Sequence, residues 1–256
     1  MPLPAMMLMR PSACSTKWRI RSRLSTADGV PPEVSMQAKP TAIACSRAVS
    51  SDAAFDNGVR RIFPIETIEE AKAAAAAGHL VGAERKCVKC DFADLGNDPL
   101  EYSPEQVRDK EIYFTTTNGT RTLKKCMSFG PEHSVVVGAF TNIGTVAEYC
   151  RGRNVLSVCA GWEGHVCIED ALFGAALADR LSRSHTLGSD AVRMVLDYYR
   201  SHSSDIVGAI KQSDHYQRLL RVGKAEALTY CIDLDCSTAL PIAGTDAQGR
   251  IVLDNK

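Results

Sequence analysis

The 256-residue chain is short of several features that would define it quickly. Neither charge is in excess: 30 Lys and Arg balance 30 Asp and Glu. Basic residues form no stripe, which argues against a nucleic-acid partner. No apolar run approaches the roughly 18 residues that a membrane span requires, so no membrane partner is expected. Ten cysteines in a chain of this length are too sparse for a disulfide scaffold. Cys150, Cys159, Cys167 and Cys231 lie in apolar stretches, where free cysteine acts as a small hydrophobe, and a reducing, cytoplasmic location is expected. Cys87 and Cys90 form a lone C-x-x-C in a polar loop; no second pair stands at zinc-knuckle spacing and no helix start follows a strand there.

Familiar catalytic signatures are missing too. The chain holds no G-x-S-x-G, no G-x-x-x-x-G-K-[ST] and no H-E-x-x-H. A cysteine phosphatase loop on Cys159 would need arginine at the position His165 occupies. Asp233-Leu234-Asp235 looks like an aspartyl-phosphate motif, but too little chain follows to build that domain around it. The histidines point nowhere in particular. His215 reads as a helix-surface residue with Arg218 one turn later, and Trp162 reads as core.

What is present is a 45% hydrophobic chain, long enough for one domain or two intimate lobes. Its first 52 residues differ from the rest, with seven Lys/Arg against three Asp/Glu and no clear periodicity. They contain no apolar stretch suited to a secretory signal, whereas their composition is compatible with an organellar targeting peptide. From Phe55 strands and helices alternate. Val59 to Ile65 is a strand. Thr67 then caps an alanine-rich helix, with Glu70 at its third position and Gly78 after it. His79 to Gly82, Val135 to Phe140 and Asn154 to Ala160 are apolar strands. Thr141-Asn142 and Glu169-Asp170 open helices, and two more helices cover Ser189–Ser201 and about Asp205–Leu220. Thr229 to Asp235 reads as a last strand. This order predicts a layered α/β/α fold with a largely parallel or mixed sheet, comprising an atypical segment 1–52, an α/β domain 53–245 and a tail 246–256.

Ile112 to Arg121, I-Y-F-T-T-T-N-G-T-R, is the most informative run. β-prone residues lead into three threonines and the Asn118-Gly119 turn signal. Alone it reads first as a hairpin with surface threonines, and only in company with other polar strand ends as a loop whose N–H groups, hydroxyls and Arg121 hold an anion. Other strand ends also carry polar clusters, namely Glu84-Arg85, Asn142 and Cys159 to Gly161 leading to Glu169-Asp170, and the Asp91–Asp98 loop adds carboxylates. In α/β sheets ligands bind at such carboxyl ends. Hard oxygens beside arginine suit a magnesium-bound phosphorylated substrate attacked by an activated water.

In order, G-A-E-R (82–85), D-F-A-D-L-G-N-D-P (91–99), T-T-N-G-T (116–120), V-G-A-F-T-N (137–142), V-C-A-G-W (158–162), I-E-D (168–170) and S-D-H-Y-Q-R-L (213–219) resemble the 2-phosphosulfolactate phosphatase family. The resemblance runs from about Phe55 to Ile242. It implies that family's fold and Mg²⁺-dependent hydrolysis of 2-phospho-3-sulfolactate to 3-sulfolactate and phosphate, a step of coenzyme M biosynthesis in methanogens. Site roles are assigned by chemistry at the matched positions. Asp94, Arg85 and Asn118 are expected to be catalytic. Glu84, Asn97, Thr116, Thr117, Gly119, Thr120, Cys159 and Gly161 are expected around the phosphate or sulfonate, and Asp94, Glu169 and Asp170 as Mg²⁺ ligands. The expected partner is a small anionic phosphorylated substrate, and a homo-oligomer is possible.

Two departures stand out. Asp98 replaces the family's usual serine. Cys45 to Ser50 matches the family's D-x-x-R-A-T only at Arg47-Ala48, one residue out of register, with no acidic partner and no apolar strand expected before it. A shifted reading frame upstream would account for this, and so would a catalytically impaired, anion-binding homologue.

Overall fold

The computed structural model describes residues 6–11, 41–45, 49–130, 133–162 and 164–256. Their strands are β1 (Met6–Pro11), β2 (Thr41–Cys45), β3 (Arg61–Pro64), β4 (Leu80–Arg85), β5 (Val88–Lys89), β6 (Glu111–Thr115), β7 (Ser134–Gly138), β8 (Val155–Cys159), β9 (His185–Leu187), β10 (Pro241–Thr245) and β11 (Ile251–Asn255). The helices are α1 (Val49–Asp56), α2 (Ile68–Ala76), α3 (Pro104–Val107), α4 (Gly119–Met127), α5 (Ile143–Cys150), α6 (Ile168–Leu181), α7 (Asp190–His202), α8 (Ile206–Lys211), α9 (Asp214–Arg221) and α10 (Ala227–Cys231). All the strands join one mixed sheet in the order β5-β4-β6-β3-β11-β10-β7-β2-β8-β1-β9.

Helices cover both faces, and the strands alternate accordingly. On β2, Ile43 packs into the core beneath α5, α6 and α7, whereas Ala42 and Ala44 pack into the opposite core beneath α1 and α4. On β8, Val155 and Cys159 face the first core and Val158 the second. Burial on both sides makes these strands continuously apolar in sequence. The layered α/β/α expectation therefore holds. The α2 start also forms as read: the Glu70 N–H donates to Thr67 Oγ1 (3.0 Å), and the Thr67 N–H donates back to Glu70 Oε2 (2.8 Å). Gly174 lets α6 lie close to the sheet, since a Cβ there would fall 2.7 Å from Met7 Cε.

Four expectations need correction. First, an apolar strand does precede residue 46. Thr41–Cys45 pairs in parallel with both β7 and β8 at the centre of the sheet, and Met6–Pro11 adds an antiparallel strand beyond β8. T-A-I-A-C is short and alanine-rich, so it carries little β signal until it is buried on both faces. Ser46 to Ala48 and the remainder of 1–40 lie outside the described residues. Second, 246–256 is no tail, because β10 and β11 form a hairpin between β7 and β3. Its turn is built on Asp246, whose Oδ1 accepts from the N–H groups of Gln248 (3.0 Å) and Arg250 (2.8 Å). Third, Thr229 to Asp235 is not a strand; Ala227–Cys231 is helical. Fourth, the helix expected over 205–220 breaks at Ser213, whose Oγ accepts from the Tyr216 N–H (3.0 Å) to start α9.

The hairpin matters for the site. β4, β6 and β3 run parallel to one another, and so do β7, β2 and β8, but three antiparallel pairings between them point the two triplets in opposite directions. The helix α4, which follows β6, packs against β2, β7 and β8. It thereby carries the carboxyl end of β6 onto the other triplet.

Candidate active site

The Ile112–Arg121 run folds as strand, turn and helix, not as a hairpin. β6 ends at Thr115, Asn118 is the N-cap of α4, and its side chain makes no capping bond. The first-turn N–H groups of α4 have no carbonyl acceptor within the helix, and the positive end of the helix dipole adds to them. Thr116, Thr117, Asn118, Gly119 and Thr120 all line a cavity of about 780 Å³, counted to its open mouth. Thr117 Oγ1 is buried and, among the described residues, has no hydrogen-bond partner. A buried hydroxyl in that condition is costly unless a ligand satisfies it.

Carboxylates form the facing wall. Glu84, at the carboxyl end of β4, is 3% exposed and its Oε1 accepts from the Cys87 N–H. Glu169 and Asp170 come from the first turn of α6 and line the same cavity. Asp170 Oδ2 accepts the Gly161 N–H (2.7 Å) across the β8–α6 connection. Gly161 has φ +65° there, and a Cβ on it would meet the His165 carbonyl oxygen at 2.4 Å. Asn97 completes the rim, its Oδ1 accepting from Ser50 Oγ (3.1 Å).

Three expected site residues are placed elsewhere. Asp94 lies beside the amino-terminal half of β4, where its Oδ2 accepts the Val81 N–H (2.9 Å), and it does not line the cavity. Its loop runs alongside β4, so its position in sequence says nothing about which end of the strand it reaches. Arg85 ties strand ends together instead of facing the cavity: its guanidinium donates to the Glu84 carbonyl (2.7 Å), Thr115 Oγ1 (3.0 Å) and the Glu66 carbonyl (3.2 Å). Cys159 is 1% exposed in the core under α6, on the face of β8 away from Val158, and Cys167 lines the cavity in its stead. Arg121 is exposed and does not line the cavity. Gly161 does line the cavity, but its N–H is already given to Asp170.

The structure adds residues that sequence reasoning passed over. His215 is 5% exposed, not on the surface, and its Nε2 stands 4.0 Å from Glu169 Oε1. Trp162 borders the cavity and carries the Arg218 guanidinium 4.3 Å from its ring centroid, a cation–π contact. Ser51, from α1, also lines it. The signal for His215 was its four-residue spacing from Leu219 behind the Ser213 cap, which puts both on one helix face. Asp98 accepts the Leu100 N–H (3.1 Å) as the cap of a short 3₁₀ turn, Pro99–Glu101, and does not line this cavity. Serine fills the same capping role, so the departure at 98 leaves the anion loop untouched.

Among the described residues no three His, Cys, Asp or Glu side chains form a ready-made metal cage. Mg²⁺ does not require one, since it keeps several waters and is held by one or two carboxylates plus substrate phosphate. The hard-oxygen set of Glu84, Glu169 and Asp170 opposite a hydroxyl-rich helix start fits that mode.

Fold and cavity together define an α/β protein with a cavity set between a helix N-terminus and a carboxylate wall. The chain belongs to the 2-phosphosulpholactate phosphatase family, whose sequence profile matches residues 42–245. It is 34% identical to a probable 2-phosphosulfolactate phosphatase of Thermotoga petrophila over 189 residues, 73% of this chain and 81% of that protein. Against the protein so named in Gloeobacter violaceus, identity is 34% over 235 residues, covering 85% of this chain and 96% of the relative. A Synechococcus protein of the same name is 37% identical over 172 residues, 65% of this chain and 70% of its own length. No helix among the described residues is long and apolar enough to cross a membrane.

Proposed function

We propose that the protein hydrolyses a small anionic phosphate monoester, 2-phospho-3-sulfolactate or a close analogue, in a Mg²⁺-dependent reaction in the cytoplasm. The observation that carries this reading is one cavity holding both the T-T-N-G-T helix start and the Glu84, Glu169 and Asp170 wall. In it the Thr117 hydroxyl and the first N–H groups of α4 receive the phosphoryl oxygens, whose charge grows as the ester bond breaks. Glu169 and Asp170, with Glu84 beside them, would hold Mg²⁺, which when bound supplies Lewis-acid polarisation of the phosphoryl group. The buried wall orients water for attack on phosphorus, opposite the leaving oxygen. His215, 4.0 Å from Glu169, would pass a proton to that oxygen, a task suited to an imidazole. The alternative of an impaired homologue rested on a missing first strand and its acidic motif; β2 occupies the strand's place, and Ser46 to Ala48 lie outside the described residues.

The test is release of phosphate from 2-phospho-3-sulfolactate by the full chain, with Mg²⁺ and with excess chelator. Release is expected with the ion and not with the chelator, and Glu169→Gln should lower kcat/KM on the order of 100-fold without loss of the folded state. Equal release under both conditions would overturn the metal role, and none under either would overturn the phosphatase reading.

A further inference from the structure

A second cavity, about 950 Å³ to its mouth, adjoins the first, and Glu84, Asn97, Glu169, Asp170 and His215 line both. Its other walls are of a different kind. Phe140 and Phe173 meet edge to face with ring centroids 5.8 Å apart, and Ile210, Leu219, Leu228 and Ile232 close the chamber from α8, α9 and the end of α10. The charged groups at its border are already engaged: Lys224 Nζ lies 3.3 Å from Glu101 Oε1, and Asp98 Oδ1 accepts the Leu100 N–H. An apolar chamber with a few polar groups gathered at one end is the usual form of a small-molecule site. A three-carbon acid bearing carboxylate, phosphate and sulfonate has nothing to place in it.

We propose that this chamber receives the organic part of a larger, apolar phosphate monoester, an aryl or branched-alkyl phosphate, while its phosphate rests on the Thr116–Thr120 loop. The proposal builds on the phosphatase reading above and extends its substrate range. Chemically the step is unchanged. Water oxygen bonds to phosphorus, the ester P–O bond breaks, and the alcohol departs with a proton while inorganic phosphate remains. The chamber contributes by burying the apolar group, which water hydrates poorly.

Steady-state kinetics of the full chain on 1-naphthyl phosphate and on glycerol 2-phosphate test this. The naphthyl ester is expected to have a kcat/KM about tenfold higher. Leu219→Trp fills the chamber from a half-buried position on α9. It should lower kcat/KM for the naphthyl ester about tenfold while changing the glycerol ester within about twofold. No preference for the naphthyl ester, or equal effects of the substitution on both esters, would overturn the proposal. If thermal melting shows Leu219→Trp to be unfolded, Ile232→Phe gives the same readout from the C-cap of α10. If neither ester is hydrolysed, calorimetry with naphthalene-1-phosphonate separates the two readings. Binding that Leu219→Trp weakens keeps the chamber and discards the phosphatase activity, and no binding discards both.

Discussion

Two Thr-Asn pairs stand at equivalent corners of the molecule, Thr117-Asn118 between β6 and α4 and Thr141-Asn142 between β7 and α5. Each asparagine is an N-cap whose side chain caps nothing. Beyond that they diverge. At the β7 corner Thr141 Oγ1 donates to Asp52 Oδ2 (2.6 Å). Asn142 Nδ2 donates to Asp52 Oδ1 (3.2 Å) and to the carbonyls of Val137 (3.3 Å) and Ala239 (3.1 Å), while its Oδ1 accepts the Ala139 N–H (3.0 Å). That cluster is closed and fully buried, and it staples α1, β7 and the segment before β10. At the β6 corner no such partner arrives among the described residues, and Thr117 and Asn118 line a cavity. The same dipeptide is scaffold where tertiary structure supplies a carboxylate, and lines an open cavity where it does not. Asn142, read from sequence only as one of several polar strand ends, is engaged in this scaffold.

The comparison predicts opposite behaviour for the two corners. Asn142→Ala should have the largest effect. It leaves the Ala139 N–H and two carbonyls without partners in a dry interior, and should cost about 4 kcal/mol in chemical denaturation. A loss below about 1 kcal/mol would mean that water replaces the amide and that the corner is not closed. Thr117→Val reverses the pattern. Removing a buried hydroxyl that has no partner among the described residues should raise stability by about 1 kcal/mol. It should also lower kcat/KM about tenfold by deleting a donor to the phosphoryl group. Lost stability with unchanged turnover would assign Thr117 to the scaffold.

The smallest effect is in pH dependence. Burial pushes the Asp52 carboxyl well above its ordinary 3.8, the Thr141 hydrogen bond opposes that rise, and Asp56 adds to it. The folded chain therefore keeps this proton at pH values where the unfolded chain has lost it. Stability falls as pH rises between the ordinary and the raised value, by at most about 1.4 kcal/mol per pH unit, and is independent of this group below that window. Asp52→Asn keeps an acceptor for Thr141 and should flatten that part of the stability profile in denaturation from acid to neutral pH. An unchanged slope would show that Asp52 is not the titrating group.

How much was legible in the sequence varied with how local the cause was. The α2 capping box, the helix α7 and the doubly buried β8 were readable because neighbouring residues determine them. The Asp246 hairpin turn is equally local, yet it was passed over because β10 and β11 are short and gain their partners only from distant strands. Asp94 and Glu169 looked alike as acidic residues at element ends. One meets a backbone N–H on the far half of β4, the other a cavity. His215 was hidden because a lone histidine on a helix does not announce which face is covered.

By itself the sequence determined the alternation of strands and helices, the polar character of the strand ends and the family to which the chain belongs. These follow from local periodicity, turn chemistry and motif order. Only the tertiary structure decided which polar ends meet. Two strand triplets of opposite direction share one cavity because a hairpin from the end of the chain joins them and α4 crosses between them. Such long-range pairing depends on burying both faces of the sheet, which no single segment encodes.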